Sequence, residues 1–185
     1  MKKLLLALIA LFIATNLNAY SYASAGKEPT IDSKEQIMKA LNNDDFTTAS
    51  KIFKEHEKNY RYLTKEFIPS LYDGLQKGLE NKDKKQIVKY LELSIAAEIQ
   101  RRIDGGLQNI KVYNIAKVMV MKAKKFYSLL SISLDKQTDE KLKKAVTNCI
   151  KSIGNPGLFG VGAKPSNKDE YIKNQKLIIE IVQSL

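Results

Sequence analysis

The chain has 185 residues, with 31 lysines and arginines against 20 aspartates and glutamates, and a formal charge of +11. Its one cysteine excludes an intramolecular disulfide, and one cysteine with one histidine excludes zinc sites built on several such ligands. An even spread of lysines along the chain argues against nucleic acid as the anionic partner.

The chain opens on the basic "MKK" and an apolar run, "LLLALIALFIA", at 4–14. This is the layout of a secretory signal peptide, and the run is too short to anchor in a bilayer. Cleavage after Ala19 is predicted, with Ala23 and Ala25 as later alternatives. No cysteine stands there to take a lipid. The protein is therefore expected to be secreted or periplasmic, with 1–19 removed, 20–32 a flexible tail and 33–185 a single helical domain. The mature chain loses Lys2 and Lys3 and is long enough for one ordinary core.

From Ser33 onward the apolar spacing is helical. Ser33 with Gln36 forms a capping box for a helix to about Asn42, and Asp44 or Asp45 caps the next, to about Lys58. A third is expected over 59–80, kinked at Pro69 because proline removes a donor. The fourth is expected over 83–104 and ended by Gly105-Gly106, and the fifth over 110–134. Thr138 caps a sixth to about Ile153. A glycine-rich loop at 154–167 precedes a last helix capped by Ser166. Long helices with short connections predict an all-α, up-and-down antiparallel bundle of about five to seven helices. Two similar stretches, 39–53 and 77–91, are offset by 38 residues and raise the alternative of a short helical-hairpin repeat array.

Few chemistries survive. His56 lies in the charged "KEHEK", which suits neither a catalytic triad nor a di-iron motif, and no enzyme activity is predicted. Cys149 falls on an apolar stripe with Leu142, Val146 and Ile153 and reads as a small buried hydrophobe. The loop "GLFGVGAKPS" has Ala163 where a phosphate loop needs lysine. Its Leu158, Phe159 and Val161 are expected to tuck under the loop or to form a docking tip.

The most informative stretch is "LSIAAEIQRRIDGG" at 93–106, which holds two of the three arginines of a lysine-rich chain. On a helix, Glu98 and Arg102 share the apolar stripe of Ile95, Ile99 and Ile103 at (i, i+4) spacing, and Arg101 lies outside it. Buried charge demands a partner, so the pair either fixes the register of the bundle, holds a wet arginine head, or lines a pocket. Arginine in place of lysine favours a bidentate contact with an anion. Gly74 and Gly78, on the preceding helix, would let a backbone or ligand come close. Glu98, Arg101, Arg102, Tyr113 and Tyr127 are thus the candidate ligand site. Glu66, Glu92 and Glu98 are a candidate set for a hard cation.

The expected function is that of an exported, non-catalytic binding or accessory protein. It would be a periplasmic partner of a transport or redox system that handles a small anionic ligand, metal or haem. The alternative is a scaffold protein that docks on an envelope component through its basic surface. An envelope protein and a small anionic ligand are the partner classes this leaves. The sequence assigns no cofactor and no oligomeric state.

Overall fold

A computed structural model describes residues 28–157 and 161–185; the predicted signal peptide, most of the predicted tail, Leu158 and Phe159 lie outside the described residues. The described residues form eight α-helices: α1 Pro29–Asn42, α2 Phe46–Glu55, α3 Glu57–Glu66, α4 Leu71–Glu80, α5 Lys84–Gln108, α6 Tyr113–Leu130, α7 Lys136–Ser152 and α8 Lys168–Ser184. A single 3-10 turn, Ser131–Ser133, joins α6 to α7. The helices pack as a bundle, and none is long and apolar enough to cross a membrane.

Two layers share one helix. α5, α6, α7 and α8 close a ring, because α8 packs on both α7 and α5. The short helices α1, α3 and α4 cover the other side of α5, and α2 packs on those three. As a result α5 is enclosed nearly all round, and every residue from Leu93 to Gln100 is buried. A helix buried on all sides has no single wet face to carry its charges. The core runs through Ile95, Ile99 and Ile103, all fully buried, each worth roughly 1.5–3 kcal/mol relative to exposure.

Several boundaries differ from the sequence expectation for packing reasons. α1 begins at Pro29 rather than after Ser33, so residues 28–32 are ordered helix start and not tail. Pro29 costs nothing there, since the first helical position needs no N–H. The Ser33 hydroxyl is spent on the Thr30 carbonyl and the Tyr60 hydroxyl, at 3.2 and 2.8 Å, instead of capping. At Pro69 the expected kink is a full break, with α3 ending at Glu66 and α4 starting at Leu71. Thr64 bridges the break: its hydroxyl donates to the Tyr60 carbonyl and accepts from the Tyr72 N–H, both at 2.9 Å. The caps of α7 and α8 lie at Asp135 and Asn167, rather than at Thr138 and Ser166.

Gly105-Gly106 does not stop α5, which continues to Gln108. Gly106 is there for close approach: a Cβ on it would strike the Tyr171 hydroxyl, which donates to the Ile103 carbonyl at 2.8 Å. Gly74 likewise lies under the Tyr90 ring of α5, so the space it leaves is filled by a side chain of this protein.

The two similar stretches do share a turn. Asp44 and Lys82 both have φ of 54°, and the residues that follow, Asp45 and Asp83, cap α2 and α5 through the Thr48 and Gln86 N–H groups. Lys84 and Asp44 join the two turns by a 2.6 Å ion pair. The likeness is confined to these junctions, and the chain as a whole is a bundle.

Candidate functional site

Glu98 and Arg102 do face the same place, and the chain itself fills it. Glu98 is 1% exposed. It accepts from the Thr30 hydroxyl at 2.9 Å and from Arg101 Nη1 at 3.1 Å, and lies 3.5 Å from Arg102 Nη2. Asn59 Nδ2 in turn donates to Thr30 Oγ1 at 2.8 Å, tying α3 to the group. Arg102 Nη2 donates to Glu28 Oε2 at 2.8 Å, and Lys122 of α6 reaches Glu28 Oε1 at 2.8 Å. Glu28 is 4% exposed. The anion expected at Arg102 is thus the first described residue, from a stretch expected to be tail.

The network holds three cations and two carboxylates in a region of low exposure. Such a cluster is tolerated only when its members compensate one another. One donor is left over: Arg102 Nε is buried without a hydrogen-bond partner, as is Gln100 Oε1. The Arg102 guanidinium also stands 5.8 Å from the Phe126 ring centroid, and Arg101 stands 5.0 Å from that of Tyr62.

The tyrosines do not join this group. The Tyr127 hydroxyl donates to Asp139 of α7 at 2.6 Å, and burial, reinforced by that carboxylate, pushes its pKa up to about 12. Tyr113 stands at the start of α6, with the Lys117 ammonium 5.6 Å from its ring centroid. The three glutamates proposed for a cation are not gathered. Glu66 pairs with its neighbour Lys65 at 3.5 Å, and Glu92 lies near Lys34, whose pKa is lowered by burial against the raising effect of that carboxylate. Among the described residues no group of three or more His, Cys, Asp or Glu could hold a metal ion. Val161 is 79% exposed and does not tuck under its loop. Cys149 is fully buried, and burial pushes its thiol up to about 12.

A second feature lies on the outside. Lysines are spread along the chain, but net charge is not. Residues 28–110 carry fourteen lysines and arginines and fourteen aspartates and glutamates. Residues 111–152, the α6–α7 hairpin, carry ten lysines and three acids. No acidic residue occurs between Asp104 and Asp135. Two of the three acids are engaged locally: Asp135 caps α7 and Asp139 takes the Tyr127 proton donor.

Helical spacing sets this hairpin's outer face. On α6, Lys117, Val118, Met121, Lys124 and Lys125 fall within one arc, and all are exposed. On α7, Lys136, Lys141, Lys143, Lys144 and Lys151 are exposed. Among the described residues, Lys122 is the one hairpin lysine in an ion pair, and it points inward to Glu28. The other nine lie more than 4 Å from every carboxylate among the described residues. Met121 is 45% exposed and Ile132, at the hairpin tip, 87%.

Sequence reasoning found the inward pair but missed both of its outside partners, Glu28 and Lys122, and missed the basic face. Net charge summed over successive windows would have revealed the face. No local signal marks Glu28, which becomes a partner only through tertiary packing. Comparison with family models, with curated proteins and with solved structures finds no match for this chain.

Proposed function

We propose that this is an exported, non-catalytic accessory protein that docks on an anionic component of the cell envelope through the outer face of its α6–α7 hairpin. The observation that carries the reading is the segregation of charge: a neutral stretch, residues 28–110 with α1–α5, against a hairpin with nine exposed lysines outside ion pairs. Surplus like charge on one face weakens the folded state slightly and strengthens attraction to an opposite surface. Such attraction is long-ranged at low salt and screened as salt rises.

A small anionic ligand held by Arg102 is the second reading. It is supported by the unpartnered Arg102 Nε and by a carboxylate already seated at Nη2. It requires Glu28 to give way, and Glu28 leads into a first turn whose Thr30 and Ile31 are also buried. Docking through the hairpin requires no such rearrangement and is preferred.

Envelope fractionation tests the proposal. Wild-type protein should sediment with envelopes at low ionic strength and be released as salt rises. Lys124→Glu/Lys125→Glu should remain in the soluble fraction at all salt concentrations. Equal distribution of the two proteins would end the docking reading. The ligand reading is tested with Arg102→Lys, which retains charge and loses the planar fork.

A further inference from the structure

Resting on the docking reading, we infer that the anionic partner is a phospholipid surface, and that Val118 and Met121 enter its headgroup region between the lysines of α6. Three observations favour lipid over other polyanions. The first is the interleaving. The exposed arc of α6 alternates lysines with two large apolar side chains, Val118 at 37% exposure and Met121 at 45%. Apolar side chains left in water beside cations match a surface that is anionic outside and apolar a few ångströms below.

The second is the kind of cation. All three arginines lie outside the hairpin, at 61, 101 and 102, and the hairpin uses lysine alone. Lysine is a flexible point charge, suited to mobile phosphate headgroups. Nucleic-acid recognition draws on planar arginine forks and on aromatic stacking platforms. Of the aromatic residues on α6, Phe126 is fully buried, the Tyr127 hydroxyl is committed to Asp139, and the Tyr113 ring has the Lys117 ammonium 5.6 Å from its centroid.

The third is shape. The hairpin face is made of the exposed sides of two long neighbouring helices. A peptide or single strand would be held in a groove, whereas a bilayer needs only an exposed convex face. The 3-10 turn at the tip adds Ile132, 87% exposed, at the end of the same hairpin. Each lysine brought to an anionic leaflet tightens binding about fivefold.

The test uses the full mature chain and vesicles of phosphatidylcholine with or without phosphatidylglycerol. The protein has no tryptophan, so Met121→Trp reports its own position without background. Thr47→Trp, exposed on α2 within the neutral stretch 28–110, is the control. Expected results are binding to the phosphatidylglycerol vesicles only, a blue-shifted emission for Met121→Trp quenched by brominated acyl chains, and no shift for Thr47→Trp. Lys124→Ser/Lys125→Ser should weaken vesicle binding by about 25-fold, the product of two such lysine terms. An unshifted Met121→Trp on bound vesicles would overturn the insertion. No vesicle binding, with envelope sedimentation still lost in Lys124→Glu/Lys125→Glu, would overturn lipid and leave an acidic envelope protein as the docking partner. Loss of that sedimentation difference as well would remove the docking reading itself.

Discussion

Helices α1–α5 and the α6–α7 hairpin use charge in opposite ways. In the first, residues 28–110 balance fourteen cations with fourteen anions, and some of those charges are drawn inside: Glu28, Glu98 and Arg102 are all buried. In the second, ten lysines meet three acids, and nine of the ten stay outside ion pairs on the surface. Buried charge must be compensated within the molecule, so it acts on stability. Exposed surplus charge contributes little to stability and acts on whatever lies outside. Lys122 marks the border, since it belongs to the hairpin by sequence and to the buried network by geometry.

Four substitutions sharpen that contrast, and unfolding by urea measures each of them. Glu98→Ala should have the largest effect, a loss of roughly 3–5 kcal/mol, because the buried Arg102 would then share Glu28 with Lys122 and Thr30 would lose its acceptor. A loss under ~1 kcal/mol would mean that water already enters the site. Gly106→Ala comes next. Alanine is the better helix former by about 1 kcal/mol, yet its Cβ would collide with the Tyr171 hydroxyl and break the bond to Ile103. A net destabilisation of about 1–3 kcal/mol is expected from overpacking.

Tyr127→Phe should cost about 1 kcal/mol, the net worth of one ordinary hydrogen bond, and should leave Asp139 accepting from water. Lys124→Glu/Lys125→Glu should change stability by no more than about 0.5 kcal/mol, as surface substitutions away from special contacts do. A large loss there would place those lysines in the structural class and undo the contrast. Thiol labelling gives a separate check on the core. With the Cys149 pKa raised to about 12, almost no thiolate exists in the folded state at pH 8. Maleimide reaction should therefore follow unfolding, and fast labelling of native protein would contradict the burial of Cys149.

Much of the fold was readable from spacing alone. Periodicity placed seven helical segments and made the protein all-α; Pro69 turned the expected kinked helix into two, which accounts for the eighth. The (i, i+4) placement of Glu98 and Arg102 correctly brought them to one spot. Stop signals were less dependable. Gly105-Gly106 reads as a terminator, and the helix runs through it with Met119 packed on Gly105 and Tyr171 on Gly106. Ser33 reads as a cap, and its hydroxyl is taken by Tyr60.

What the sequence by itself determined, then, is helical class, the inward pair and the uneven distribution of charge, since each depends on residue type and near-neighbour spacing. Only the tertiary structure decided what the pair is for. Glu28 lies 74 residues from Arg102 along the chain, and Lys122 belongs to another helix. A periodic pattern records which face of a helix is dry and carries no information about which distant residue will cover it. The same limit explains α5: its spacing suggests one buried stripe, and between Leu93 and Gln100 it becomes buried all round because two layers close on it.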